Sequence, residues 1–247
     1  MKLSKRMEAA AAMVSVGNIL ADVGTDHGYI PIELVQRGTV PSAIAMDLRE
    51  GPLSRAREHI KERGLAERIE LRLSDGVSAM SEGEADTILI AGMGGELVIH
   101  ILSDGAAVCR SVRELILQPQ SQIAEVRRFL RENGYRITEE DMVLEDGKFY
   151  PMMRVVPGQQ MEQQTQHYGF RKEVGDLYGP VLLQKKHPVL IAFLEREYSQ
   201  QTAILMGLQK QPKSDKILRR IEEVSRRLAY NKEAQEYIHG GYTNAGI

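Results

Sequence analysis

The chain has 247 residues, enough for one large domain or for one domain with an appendage. Its 43% hydrophobic and 27% charged residues are a globular composition, and no stretch approaches the ~18 consecutive apolar residues of a membrane span. A net charge of −2 excludes a protein that coats nucleic acid with its whole surface, yet the balance is uneven: residues 1–159 sum to −5 and residues 160–247 to +3.

Cys109 is the single cysteine, so neither an intramolecular disulfide framework nor a cysteine zinc cluster can form. Together with 11 Met this suits a reducing cytosol, and a cytoplasmic protein without metal or membrane partner is expected. Lys2, Lys5 and Arg6 precede a small-residue run, but Glu8 sits where a signal peptide should turn apolar. With Ser4 as N-cap, residues 4–16 read as a short amphipathic helix.

From residue 18 to 117, short apolar runs alternate with helical patterns. Residues 19–23, 43–47 and 87–91 read as buried strands, residues 69–73 as a half-exposed strand and 114–117 as a fifth. Helices are expected from about Pro31, over 52–63, from the glycines after residue 91 through about 107, and over 121–133. Such spacing predicts βαβ units and a parallel, doubly wound sheet. The pattern then changes: residues 135–144 and 149–156 flank Asp146-Gly147, a hairpin-turn signal. Five parallel strands plus an antiparallel hairpin depart from a dinucleotide-binding Rossmann domain, which would continue with parallel strands.

A domain boundary is expected after residue 158, with a Gln-rich linker over 159–166 opening a second domain that runs to 247. Two long helices follow, over 188–210 and 215–235. Leu190, Leu194, Tyr198, Gln201, Leu205 and Leu208 form one stripe, and Ile217, Ile221, Val224 and Leu228 the other. Joined by a short turn containing Pro212, they predict an antiparallel helical coiled coil whose seam is satisfied within one chain, hence a monomer.

In an open α/β sheet, ligands bind outside the C-terminal ends of the strands. Those ends carry Asp22, Gly24, Asp26, His27, Gly28 and Tyr29; then Asp47 and Leu48; then Asp75 and Gly76; then Ala91, Gly92, Met93 and Gly94. Each alone is ordinary turn chemistry. Together they describe a site. The first turn lacks GxGxxG, and its acids would repel a pyrophosphate, which needs bare N–H groups at a helix N-terminus. A ligand bearing positive charge fits better, and S-adenosyl-L-methionine has a sulfonium, an ammonium and no phosphate. Asp47 can accept both ribose hydroxyls, a feature shared by NAD sites. Asp75 could meet an adenine amine, and the glycines after residue 91 admit close backbone approach beside a transferring methyl.

The chain resembles the bacterial tRNA (adenine-22-N1)-methyltransferase family, TrmK. The likeness is carried by Lys2-Leu3-Ser4-Lys5-Arg6, by Ala21 to Pro31, by Ala43 to Asp47, and by Ser74-Asp75-Gly76. It continues through Gly83 to Asp86, Ile90 to Gly95, Leu115 to Pro119 and Glu145 to Lys148. The resemblance implies a Rossmann-like class I methyltransferase sheet with a C-terminal coiled coil, S-adenosyl-L-methionine as cofactor, and adenine N1 of tRNA as acceptor. N1 has a free lone pair and needs no obligatory base; the product ring is cationic, so nearby acceptors should stabilise the transition state. Asp26, His27 and Tyr29 are the catalytic candidates. His27 as a loop-orienting residue and Tyr29 as a packing residue are equally ordinary roles.

In an RNA duplex N1 is hidden by pairing, so the target must be unpaired or extruded. Lys5, Arg6, Arg171, Lys172, Arg219, Arg220, Arg226 and Arg227 are the cations available for phosphate contacts, though helical charge runs are usually solvated faces. The residues alone do not separate an RNA substrate from a small molecule or a protein. An interaction module with a vestigial cofactor site is opposed by intact acids and glycines at all four strand ends.

Overall fold

A computed structural model of the chain describes residues 3–158 and 169–240. It divides into two compact units, Met1–Gln163 and Gln164–Ile247. The expected Gln-rich linker and Lys2 lie outside the described residues.

The first unit opens with α1 (Lys5–Ala12), whose N-cap Ser4 accepts from the Met7 N–H. There follow β1 (Leu20–Val23), α2 (Tyr29–Gln36), β2 (Ala43–Asp47), α3 (Glu50–Glu62), β3 (Ile69–Leu73), β4 (Thr87–Ala91), α4 (Gly95–Asp104), α5 (Ala106–Ser111), β5 (Glu114–Gln118), α6 (Ile123–Glu132), β6 (Tyr135–Glu145) and β7 (Lys148–Pro157). The sheet order is β3-β2-β1-β4-β5-β7-β6. The first five are parallel neighbours; β7 runs antiparallel to β5 and β6 antiparallel to β7. The expected five parallel strands and closing hairpin are present.

Strand alternation distributes the core between two faces. Leu20, Ala43, Ala45, Leu89 and Ile116 pack with residues of α1, α2 and α3. Ala21, Val23, Ile44, Met46, Ile88, Ile90, Leu115 and Leu117 pack with α4, α5 and α6. Strand order reverses between β1 and β4, the switch point outside whose C-terminal strand ends open α/β sheets bind ligands. The helix expected to run through residue 107 is two helices, broken at Gly105. A Cβ there would lie 2.1 Å from Val77 Cγ2, so glycine permits the close approach and ends α4.

At the opposite, N-terminal edge of the sheet, Glu114 is buried. It accepts from Ser15 N–H, Ser15 Oγ and Thr87 Oγ1, each at 2.8 Å, and from Asn18 Nδ2 at 3.4 Å, with the Arg154 guanidinium 3.5 Å away. One carboxylate thus joins the α1–β1 connection to β4, β5 and β7.

The second unit contains α7 (Lys172–Tyr178), α8 (Pro180–Gln184), α9 (Pro188–Gln209) and α10 (Asp215–Ile238). The long helices match expectation and pack against one another. The short α7 and α8, separated by Gly179 at φ +91°, lie between the expected linker and the first long helix, where the sequence predicts no element. The seam also differs: Tyr198 is 43% exposed, while the preceding Glu197 is buried. Glu197 accepts from Tyr178 Oη at 2.7 Å, Asn231 Nδ2 at 2.8 Å and Arg227 Nε at 2.8 Å. A fully partnered polar cluster therefore occupies the centre of the expected apolar stripe.

Replacing Glu114 with Ala removes the acceptor of the buried Thr87 hydroxyl and of two part-buried Ser15 donors, while Asn18 Nδ2 keeps Thr87 Oγ1 at 2.9 Å; it should cost about 2–4 kcal/mol, and Glu114→Gln about 1–2 kcal/mol, in urea denaturation.

Candidate active site

The four strand ends singled out in the sequence converge at the C-terminal edge. After β1 the chain turns at Gly24 (φ +74°), whose N–H and that of Thr25 both donate to Met46 O at 2.8 Å. That pins the first turn to the end of β2. A Cβ on Gly24 would stand 2.0 Å from Met93 Cε, so the first and fourth turns meet there, and the left-handed φ favours glycine. His27 (φ +60°) and Gly28 (φ +70°) are both left-handed, and Gly28 starts α2 without a side-chain cap. Such a conformation is common for glycine and costly for histidine.

Asp22 is buried at the end of β1. Burial pushes its carboxyl up to about 6; the Thr25 side chain pulls it part of the way back, and the charge of Asp47 adds to the rise. Asp47 ends β2 and accepts the Arg49 N–H at 2.8 Å. The adjacent Leu48 is 63% exposed, and Leu73 at the end of β3 is 59% exposed, which leaves two apolar side chains in solvent at the same edge. Asp75 is exposed, and Gly76 (φ +55°) closes its turn, with Ser74 Oγ donating to Gly76 O at 3.0 Å.

At the end of β4, Gly92 (φ +81°) donates its N–H to Gln118 O and to Gln118 Oε1, both at 3.1 Å. Gly94 caps α4. A Cβ on Gly95 would meet Ser121 O at 2.5 Å, so this turn too depends on close backbone approach. Asp26 is exposed, with Oδ1 3.2 Å from His27 Nε2. Tyr29 and His27 stack with centroids 5.1 Å apart.

The cation candidates fare differently. Arg6 Nη1 reaches Gln118 Oε1 at 3.5 Å and lies 3.7 Å from a Cβ built on Gly92, so it stands beside the fourth turn. Lys5 is tied to β6, its Nζ donating to Leu144 O at 3.1 Å. Arg171 binds Glu233 through its N–H at 2.9 Å and its Nε at 2.6 Å, and it covers the Tyr230 ring. Arg227 is committed to Glu197. Arg220 and Arg226 make surface pairs with Glu223 and Glu222, at 2.7 and 3.0 Å. Lys172 and Arg219 are exposed.

Three residues at this edge escaped the sequence reading. Gln118 ends β5 and Gln120 follows it, with Nε2 3.6 Å from a Cβ built on Gly92. A polar residue closing an apolar strand before Pro119 was the available signal. His59 lies in α3, where a helical histidine among charges gives none. Among the described residues, no group of three His, Cys, Asp or Glu side chains could hold a metal ion, and no helix is long and apolar enough to cross a membrane.

The geometry can hold a compact cationic ligand. Among the described residues Asp22 is a buried carboxylate with no salt bridge, and Gly24 leaves the backbone of the first turn without a side chain of its own, covered there by the Met93 methyl. Comparison with known proteins specifies the reading. A family model described as a methyltransferase domain matches residues 3–153. A tRNA (adenine(22)-N(1))-methyltransferase of Bacillus subtilis is 30% identical over 237 residues, 96% of this chain and 98% of the relative. The chain belongs to the tRNA (adenine(22)-N(1))-methyltransferase family. Among solved members of this methyltransferase family, B. subtilis TrmK superposes with a TM-score of 0.84 at 31% identity, over 94% of this chain and 98% of that one. A Streptococcus pneumoniae protein described as a tRNA (m1A22) methyltransferase, solved with S-adenosyl-L-methionine, gives a TM-score of 0.80 at 34% identity, over 94% and 99%. The methyltransferase edge thus carries acids where a pyrophosphate-binding edge would carry bare N–H groups.

A folded-state pKa raised from 3.8 to about 6 contributes stability below pH ~4 that is lost as pH rises through about 6, on the order of 3 kcal/mol. Without cofactor, Asp22→Asn should therefore be more stable than the parent at pH 7 and equal to it near pH 4 in thermal denaturation. The same variant should bind the cofactor at least tenfold more weakly at pH 7.

Proposed function

We propose that the chain methylates N1 of adenine 22 in tRNA, with S-adenosyl-L-methionine as donor. The observation that carries this reading is membership of the adenine-22 family along nearly the whole chain, joined to an acidic, phosphate-averse first turn. When bound, the cofactor supplies an electrophilic methyl group. Asp22, Gly24, Asp26 and Gly28 form its methionine end in this reading, Asp47 and Leu48 its ribose contact, and Asp75 and Gly76 its adenine contact. Ala91, Gly92, Met93 and Gly94 line the passage beside the acceptor.

The chain's task is alignment and charge stabilisation rather than proton abstraction, because N1 attacks with a free lone pair. The methylated ring becomes cationic. The acceptors near the ring in this reading are the backbone carbonyls of Ala91–Gly94 and Asp26, those of Met93 and Gly94 each already accepting one N–H, from Gln120 and Val98. Tyr29, in its stack with His27, offers a face for an extruded base.

The first unit carries the chemistry, and the second supplies phosphate contacts through Lys172, Arg219, Arg220 and Arg226, with Lys5 and Arg6 contributing from the first. The two long helices pack against one another within one chain, which supports a monomer, and a tRNA substrate supports a cytoplasmic site; light scattering of the free protein should give one chain.

Labelled methyl should pass into an unmodified tRNA transcript carrying adenine 22 and not into the guanine-22 transcript. Absence of label from the adenine-22 transcript overturns the reading. Replacing Arg219, Arg220 and Arg226 together with Ala should lower the slope of log affinity against log salt by about 2–3, since each phosphate contact contributes about 0.7–0.9.

A further inference from the structure

His59 belongs to none of the strand ends, yet it reaches the first turn. Helix α3 packs its buried Ala56 under Gly28, where the distance from a built Cβ to Ala56 Cβ is 3.3 Å. His59, three residues later on the same helical face, places its Nδ1 3.0 Å from the carbonyl oxygen of His27. A carbonyl can only accept, so Nδ1 carries the hydrogen, and the tautomer of a neutral His59 is fixed. Its ring also stacks on His27 at 5.7 Å and on Tyr29 at 5.5 Å, with interplanar angles of 23° and 17°.

His27 is the non-glycine residue in this turn that adopts a left-handed φ. That conformation disfavours itself unless something holds it. The His59 bond lands on the strained peptide, between Asp26 and Gly28.

We propose that His59 is a positioning residue: its Nδ1–H bond to the His27 carbonyl holds the left-handed first turn so that Asp26, His27 and Tyr29 face the acceptor base. The inference rests on the methyltransferase reading for its consequence in turnover, while the ordering of the turn stands apart from it.

The test separates the bond from the ring. Asparagine presents Nδ2 close to where histidine presents Nδ1, so His59→Asn keeps the donor and loses the stack. His59→Phe does the reverse, and His59→Ala loses both. Two measurements are made on the full chain: amide hydrogen exchange of the peptide spanning residues 22–31, and turnover on the adenine-22 transcript. His59→Ala and His59→Phe should speed exchange in that peptide and lower kcat about tenfold, while His59→Asn stays within about threefold of the parent in both. In a His27→Gly background, where the turn is unstrained, the effect of His59→Ala should shrink below about threefold.

Unchanged exchange in His59→Ala overturns the proposal, as does faster exchange with undiminished kcat. So does an asparagine variant as impaired as the alanine one. Should His59→Ala fail to fold, the contrast of Phe with Asn decides. A parent that methylates no transcript defeats the proposed function instead, and the exchange measurement still decides whether His59 orders the turn.

Discussion

Both faces of the five parallel strands are covered by helices, and this burial decides where polar groups can stand. Side chains of β1, β2, β4 and β5 point into one apolar cluster or the other, so an unpaired polar group within either layer would cost several kcal/mol. The strand ends are the places left. At the N-terminal edge the solution is closed, with Glu114 saturated by protein donors. At the C-terminal edge it is open: Asp22, Asp26, Asp47 and Asp75 gather with few protein cations near them. A saturated edge serves stability, and an unsaturated one is ready for a ligand of opposite charge.

Asp22 shows the trade in one residue. A carboxylate raised to about 6 resists charging in the free protein, and a ligand ammonium or sulfonium would relieve it. Around it the turns approach closely, with Gly24 against the Met93 methyl and Gly95 against the Ser121 carbonyl, where the backbone leaves no room for a side chain. The turns therefore interlock. A change at Gly24 displaces Met93, and with it the passage formed by Gly92 and Gly94.

Much of this was legible in the sequence, because the signals are local. Apolar runs of five residues, Asp146-Gly147 and the acids or glycines at the ends of β1 to β4 fix elements within a few positions. The strand-end acids and glycines read from sequence do meet at one edge, since a parallel sheet delivers every strand end to the same side. What escaped depends on tertiary neighbours. Gly105 breaks a helix because Val77 lies against it, and no periodicity reports that contact. The helical seam was read as apolar because Tyr198 continues the four-residue step. The buried residue is instead Glu197, which three side chains from α7 and α10 make affordable in an apolar setting. His59 looked like one more polar residue on a charged helix until the first turn was seen above it.

Charge is where sequence reading overcounts most, and magnitudes show why. Arg227 and Arg171 are cations in the sequence, but their guanidinium groups are engaged with buried carboxylates of the same unit, which would be left unpaired if the arginines turned away. A phosphate cannot claim them without that loss. The Arg220–Glu223 and Arg226–Glu222 pairs are exposed helical neighbours worth about 0.2–0.5 kcal/mol each, well below what a phosphate contact with counterion release returns. Arg219 and Arg226 stand seven residues apart, two turns along one face of α10, so a single strand of backbone could meet both. The charge that can serve RNA is thus smaller than the formal count in the second unit, and it lies on the face whose acidic partners are easily displaced.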